Sequence, residues 1–202
     1  MTYTPLPIGI DDFEKIITKE YYYVDKSLLI KELLDKKGEV NLFTRPRRFG
    51  KTLNLSMLRY FFEKPLDGTS RKHLFEGLRI MDAGEKYTSE QEQYPVITLT
   101  LKSAKQKDYA DAFGRMKEAI AEEYQRHADV MKSLKLESDQ TLFYNIMSRT
   151  AEDASYLTSL KFLSKCLYEC YGKKAIILID EYDVPLENAY YKKFVTVQNS
   201  IS

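Results

Sequence analysis

The run "AIILI" at positions 175–179 narrows the fold more than any other feature of this 202-residue chain. A strand with one face in water alternates apolar and polar residues, whereas five apolar residues in succession suit a strand covered on both faces. Such strands belong to parallel sheets with helices above and below. The run ends on Asp180 and Glu181, so the chain leaves the expected buried strand through two acids. Two more segments have strand character: "EVNLFT" at 39–44 and the β-branched "YPVITLTL" at 94–101.

Helical periods fill the intervals. Asp11 or Asp12 can cap a short helix over 11–19, with Phe13, Ile16 and Ile17 on one face. A second helix follows a cap at Asp25, carries Leu28, Leu29, Leu33 and Leu34 as a stripe, and stops at Gly38. From Thr52 a third runs to Pro65, with Leu55, Leu58 and Phe62 at one spacing beside Met57 and Phe61. The segment 66–92 is turn-rich around the apolar "HLFEGLRIM". Helices are expected again over about 105–131 and 140–150, and in "TSLKFLSKCLYECYG", which Gly172 closes. Strand, helix, strand, helices, strand predicts an α/β domain of three layers around a parallel central sheet.

The charge balance restricts partners. Thirty-one Lys and Arg against 30 Asp and Glu give a net charge of +1, so any basic site is local rather than a property of the whole surface. With two cysteines and two histidines, a four-ligand metal site is not expected. Cys166 and Cys170 fall at helical spacing on an apolar face and read as core, while His127, in the polar "EEYQRHADV", is expected to face solvent. No apolar run approaches the ~20 residues of a membrane span, and the start lacks the pattern of a signal peptide, which predicts a cytoplasmic chain with no membrane partner.

The segment "TRPRRFGKT" at 44–52 carries the chemistry. Gly-Lys followed by Ser or Thr occurs by chance in roughly one chain in ten of this length. Here, however, it follows the expected strand "VNLF" and opens an amphipathic helix, which is the setting a phosphate-binding loop requires. Backbone N–H groups at the helix start would face a phosphate, Lys51 would reach its outer oxygens, and the Thr52 hydroxyl would hold Mg²⁺. Asp180 would orient the same ion through its water shell, and Glu181 would polarise the attacking water. Arg45, Pro46, Arg47 and Arg48 occupy positions where such loops usually carry small residues. They read as a solvated basic turn, as a contact to nucleic-acid phosphate, or as a variant loop whose guanidinium groups replace part of the amide cradle.

Together, "LPIGIDDFEKII", "YYYVDKSLLIKELL", "VNLFTRPRRFGKTLNLSML", "YPVITLTL" and "IILIDEYDVPLENAY" resemble the bacterial AAA-ATPase-like family over about residues 6–190. The resemblance implies a P-loop domain that binds ATP and Mg²⁺, usually followed by a PD-(D/E)XK nuclease-like domain. Arg45, Pro46, Arg47, Arg48, Phe49, Gly50, Lys51 and Thr52 then match the family's own form of the loop. Lys51 and Thr52 match the phosphate and magnesium positions, and Asp180 and Glu181 match the Walker-B-type pair, with Lys51 and Glu181 as the catalytic candidates. Tyr23 and Asp25 are candidates for a pocket around the base, the alternative being that Asp25 caps a helix and the tyrosines are core.

The resulting expectations are an N-terminal helical segment over 1–38, an incomplete P-loop ATPase-like domain over 39–190 and a divergent tail over 191–202. The function is ATP hydrolysis or an ATP-dependent switch that controls a partner or nuclease-like domain, the latter reaching nucleic acid. The alternative is a polyanion-binding module that uses the arginine loop without catalysis. Oligomers are compatible with either. The resemblance and the Asp-Glu pair imply the additional-strand branch of P-loop ATPases, in which a further strand separates the P-loop strand from the acidic one, so "VNLF" and "IILI" are not expected to be ladder neighbours unless "FVTVQ" fills the gap. Apolar sheet surface is expected to be exposed.

Overall fold

The computed structural model describes residues 4–44, 49–104 and 108–183. They belong to two compact units, residues 1–96 and 97–202.

The first unit is helical. Asp12 caps α1 (Phe13–Thr18) by accepting the Lys15 N–H at 2.9 Å, which settles the choice between the two aspartates. Two longer helices follow, α2 (Leu28–Lys36) and α3 (Lys51–Phe62), then a short α4 (Glu85–Thr88). The turn-rich stretch contributes two single 3₁₀ turns, Lys72–Phe75 and Met81–Ala83, which deliver Leu74, Phe75 and Ile80 to the core. Phe13, Phe61 and Phe75 meet there, with Phe75 at 5.1 Å from each of the other two rings. Fully burying one such side chain stabilises the unit by about 1.5–3 kcal/mol. Ser56 on α3 accepts the Phe13 N–H at 2.9 Å, and Tyr60 donates to Asp12 or Glu14, so polar bonds fix α1 against α3 as well.

Three expectations for this unit change. The helix α2 ends at Lys37, which takes the left-handed conformation (φ 49°) itself, rather than at Gly38. Its one buried residue is Ile30, and the leucines beside it are only half-buried. Most consequentially, 39–44 is not a strand: Val40 is 88% and Leu42 64% exposed. A strand is defined by its ladder, and with no paired neighbour for this segment among the described residues, β-propensity alone does not hold it extended.

The second unit packs helices on a small parallel sheet of two strands, β1 (Val96–Thr100) and β2 (Ile176–Asp180). The chain passes between them through α5 (Tyr109–Arg126), α6 (Glu137–Met147), the short α7 (Asp153–Leu157) and α8 (Ser159–Tyr171). Gly172 closes α8 in the left-handed conformation (φ 68°), as its position predicts. Ile97 and Leu99 of β1 join Ile120, Tyr124, Phe143, Ile146, Leu163 and Cys166 in one core. The Tyr124 hydroxyl donates to the Ser159 carbonyl at 2.7 Å, which satisfies the one polar atom of a fully buried ring. Cys166 is core as expected, and burial pushes its thiol up to about 12.

Two expectations are corrected here. His127 is buried at 2% exposure, because it ends α5 and turns its ring back onto Glu123 one helical turn earlier. Of its polar neighbours, Glu122, Gln125 and Asp129 are exposed, while Glu123 is buried with it. The strand β2 is half-exposed rather than enclosed, with Ile177 at 43% and Ile179 at 37%, in keeping with the separate expectation of exposed apolar sheet surface. Its ladder partner is β1, and Leu101 N–H donates to the Asp180 carbonyl at 3.0 Å. Peptide groups alternate sides along a strand, so those of Ile177 and Ile179 point away from β1.

Candidate functional site

The helix α3 begins within the last residues of the motif, at Lys51. Gly50 takes the left-handed conformation (φ 76°, ψ 27°) and Lys51 is the first helical residue, with Asn54 N–H closing the first turn on the Gly50 carbonyl at 2.9 Å. The positive φ explains why glycine stands here, since a Cβ would be strained at that backbone geometry. Gly50, the N-cap residue, makes no side-chain cap bond. A twelve-residue helix therefore presents the positive end of its dipole at Lys51, with Thr52 exposed on the first turn and Phe49 58% exposed before it. Arg45, Pro46, Arg47 and Arg48 lie outside the described residues.

The segment 23–27 is built as a clamp. Asp25 accepts the Ser27 N–H on one carboxylate oxygen and the Arg79 N–H on the other, both at 2.8 Å. Ser27, fully buried, accepts the Ile80 N–H at 3.1 Å. Tyr23 donates to the Met57 sulfur at 3.3 Å and accepts the Lys26 N–H at 3.5 Å. Burial pushes the Asp25 carboxyl up, but the Arg79 and Ser27 N–H groups and the Ser27 hydroxyl outweigh it and hold the group below its ordinary value. Burial also raises the Tyr23 phenol to about 12. Asp25 thus joins the start of α2 to the 3₁₀ region around residue 80, and the polar ends of both candidate base-pocket residues are engaged by protein groups.

Sequence reasoning passed over Lys26. A Cβ built on Gly50 would lie 3.6 Å from the Lys26 ammonium, which is therefore held beside the start of α3. The signal was present only as a lysine between the two clamping residues Asp25 and Ser27; nothing in its spacing from Gly50 could reveal the approach.

In the second unit Asp180 is the last residue of β2, and Glu181 follows in the left-handed region (φ 56°), with its N–H donating to an Asp180 carboxylate oxygen at 3.1 Å. A non-glycine residue there costs about 1 kcal/mol, and such outliers gather at functional sites. The bend turns the chain at the carboxyl end of the strand, where open α/β sheets bind ligands. Across β1, Glu123 accepts the Thr98 N–H at 2.8 Å and Arg126 at 2.6 Å, and lies 3.3 Å from His127. This buried acid ties the strand to α5. Among the described residues, no three His, Cys, Asp or Glu side chains cluster as metal ligands, and no helix is long and apolar enough to cross a membrane.

A glycine-led helix opening on Lys51 and Thr52 is followed, later in the chain, by an apolar strand that ends on Asp180 with Glu181 beside it. The chain belongs to the predicted AAA-ATPase family, whose model matches residues 7–201. It is 27% identical over 187 residues to an uncharacterized protein in the vnfD 5′ region of Azotobacter chroococcum mcd 1. That match covers 92% of this chain and 30% of the relative, so the chain spans about a third of the relative's length. No solved structure matches.

Proposed function

We propose that this chain is the nucleotide-binding part of an Mg²⁺-dependent ATPase whose ATP-bound state controls a partner or nuclease-like domain. The observation that carries the reading is the start of α3: in a chain of a predicted ATPase family, Gly50 sets a left-handed turn and Lys51 opens a twelve-residue helix. Anions are stabilised at such a terminus by the dipole and the outward N–H groups. Lys51 binds the outer phosphate oxygens, and Arg45, Arg47 and Arg48 supply guanidinium groups to the same phosphates.

One hydroxyl and one carboxylate, Thr52 and Asp180, fit Mg²⁺, which keeps most of its water and takes its remaining oxygens from phosphate. The ion would neutralise charge on the transferred group. Glu181 takes a proton from the attacking water. In this reading Tyr23 and Asp25 hold their turn rather than touch the base.

Calorimetry with Mg²⁺-ATP, on wild type and Lys51→Ala, with turnover assayed in the same samples, tests the proposal. Wild type should bind and Lys51→Ala should not. Polyanion binding that survives Lys51→Ala and falls steeply with salt would replace this reading with a nucleic-acid module.

A further inference from the structure

We propose that Lys26 is a second polyphosphate-binding lysine, placing its ammonium beside Gly50 to share the phosphate chain with Lys51. The inference rests on the ATP reading above and adds a residue to that site.

Its position is one that the fold takes trouble to specify. Tyr23, Asp25 and Ser27 alternate along the turn, and each is tied down: Tyr23 to Met57, Asp25 to the Arg79 N–H and Ser27 to the Ile80 N–H. The residues between them point outward, with Val24 58% exposed and Lys26 exposed as well. Tyr23 also accepts the Lys26 backbone N–H, so the base of the side chain is fixed while its end is left to reach. It ends 3.6 Å from where a Gly50 Cβ would stand.

The charge at this place is uncompensated. Among the described residues, neither Lys26 nor Lys51 forms an ion pair, whereas Lys31 and Lys86 in the same unit both pair with Asp35. Asp25, the acid adjacent in sequence, spends its two oxygens on backbone N–H groups. An ammonium group brought to the positive end of a helix dipole is repelled by that end, and a polyanion bound there removes the repulsion. A lysine on a clamped turn beside the motif glycine matches a phosphate contact of the point-charge type.

Calorimetric titration of Mg²⁺-ATP and Mg²⁺-ADP into wild type, Lys26→Ala, Lys26→Gln, Lys26→Arg and Lys51→Ala, at low and high salt, tests it. Losing one charge-assisted contact should weaken both nucleotides about tenfold in Lys26→Ala and in Lys26→Gln, which keeps the stem. Lys26→Arg should recover most of the loss, and the deficit should shrink at high salt. Melting temperatures without nucleotide should match wild type in all three, because the ammonium holds nothing together. Wild-type affinity in Lys26→Ala alongside lost binding in Lys51→Ala would overturn the role of Lys26 and leave the ATP reading intact. A deficit that is independent of salt and not recovered by arginine would mark Lys26 as structural and overturn it too. Folded wild type that binds no Mg²⁺-ATP would overturn both.

Discussion

Replacing Asp25 separates a helix cap from a two-armed clamp. A cap needs one acceptor, and asparagine caps as well as aspartate. The clamp needs two, because the carboxylate takes the Ser27 N–H on one oxygen and the Arg79 N–H on the other, each at 2.8 Å. Asparagine can reproduce only one of these bonds and turns its NH₂ toward the remaining N–H. A hydrogen bond to a charged group contributes about 1.5–3 kcal/mol, and the half-exposed setting of Asp25 puts each bond at the lower end. Asp25→Ala should therefore cost about 3 kcal/mol, and Asp25→Asn about half of that or more. For a chain of this size each kcal/mol lowers Tm by about 2–4 °C. Thermal unfolding followed by circular dichroism should show Asp25→Ala melting about 6–12 °C below wild type, with Asp25→Asn between them. The pH dependence has a definite sign: the folded carboxyl sits below its ordinary value. Its stabilisation is full above the unfolded value near ~4 and is lost as pH falls through the folded one. Asp25→Ala should lack that acid-side loss. If Asp25→Asn melts like wild type, the second arm to Arg79 contributes nothing and the clamp argument fails.

Glu181→Gln should keep Mg²⁺-ATP affinity and lose turnover, since the amide cannot take a proton; equal loss of affinity would mark Glu181 as structural. Glu181→Gly should raise stability by about 1 kcal/mol by relieving the positive φ of 56°, measured in urea, while also abolishing turnover. Glu123→Ala should cost about 3–5 kcal/mol, because it leaves Arg126 and the Thr98 N–H without the buried acid that holds them; a change below about 1 kcal/mol would contradict that account. Ile177→Thr with Ile179→Thr should reduce concentration-dependent light scattering at a stability cost under about 1 kcal/mol, and a larger cost would mean that these faces are covered.

Local rules carried much of this molecule. The capped start of α1, the α3 helix from Lys51, the α8 helix closed by Gly172 and the strand leading into Asp180 follow from residue period, capping chemistry and glycine's access to positive φ. These are interactions within one or two turns of chain, which sequence spacing reports directly. The residues proposed for the site stand out for the same reason: Gly50, Lys51 and Thr52 are consecutive, as are Asp180 and Glu181.

Tertiary structure decided what depends on residues far apart in the chain. Whether 39–44 becomes a strand is set by having a ladder partner, and its own composition cannot supply one. His127 looked solvated because its neighbours are polar, yet those neighbours include Glu123, the acid that buries with it. Asp25 reads as a cap until the Arg79 N–H arrives from 54 positions away. Lys26 acquires its proposed place in phosphate chemistry only because the clamp folds it against Gly50, a proximity created by packing and invisible in the spacing of either residue.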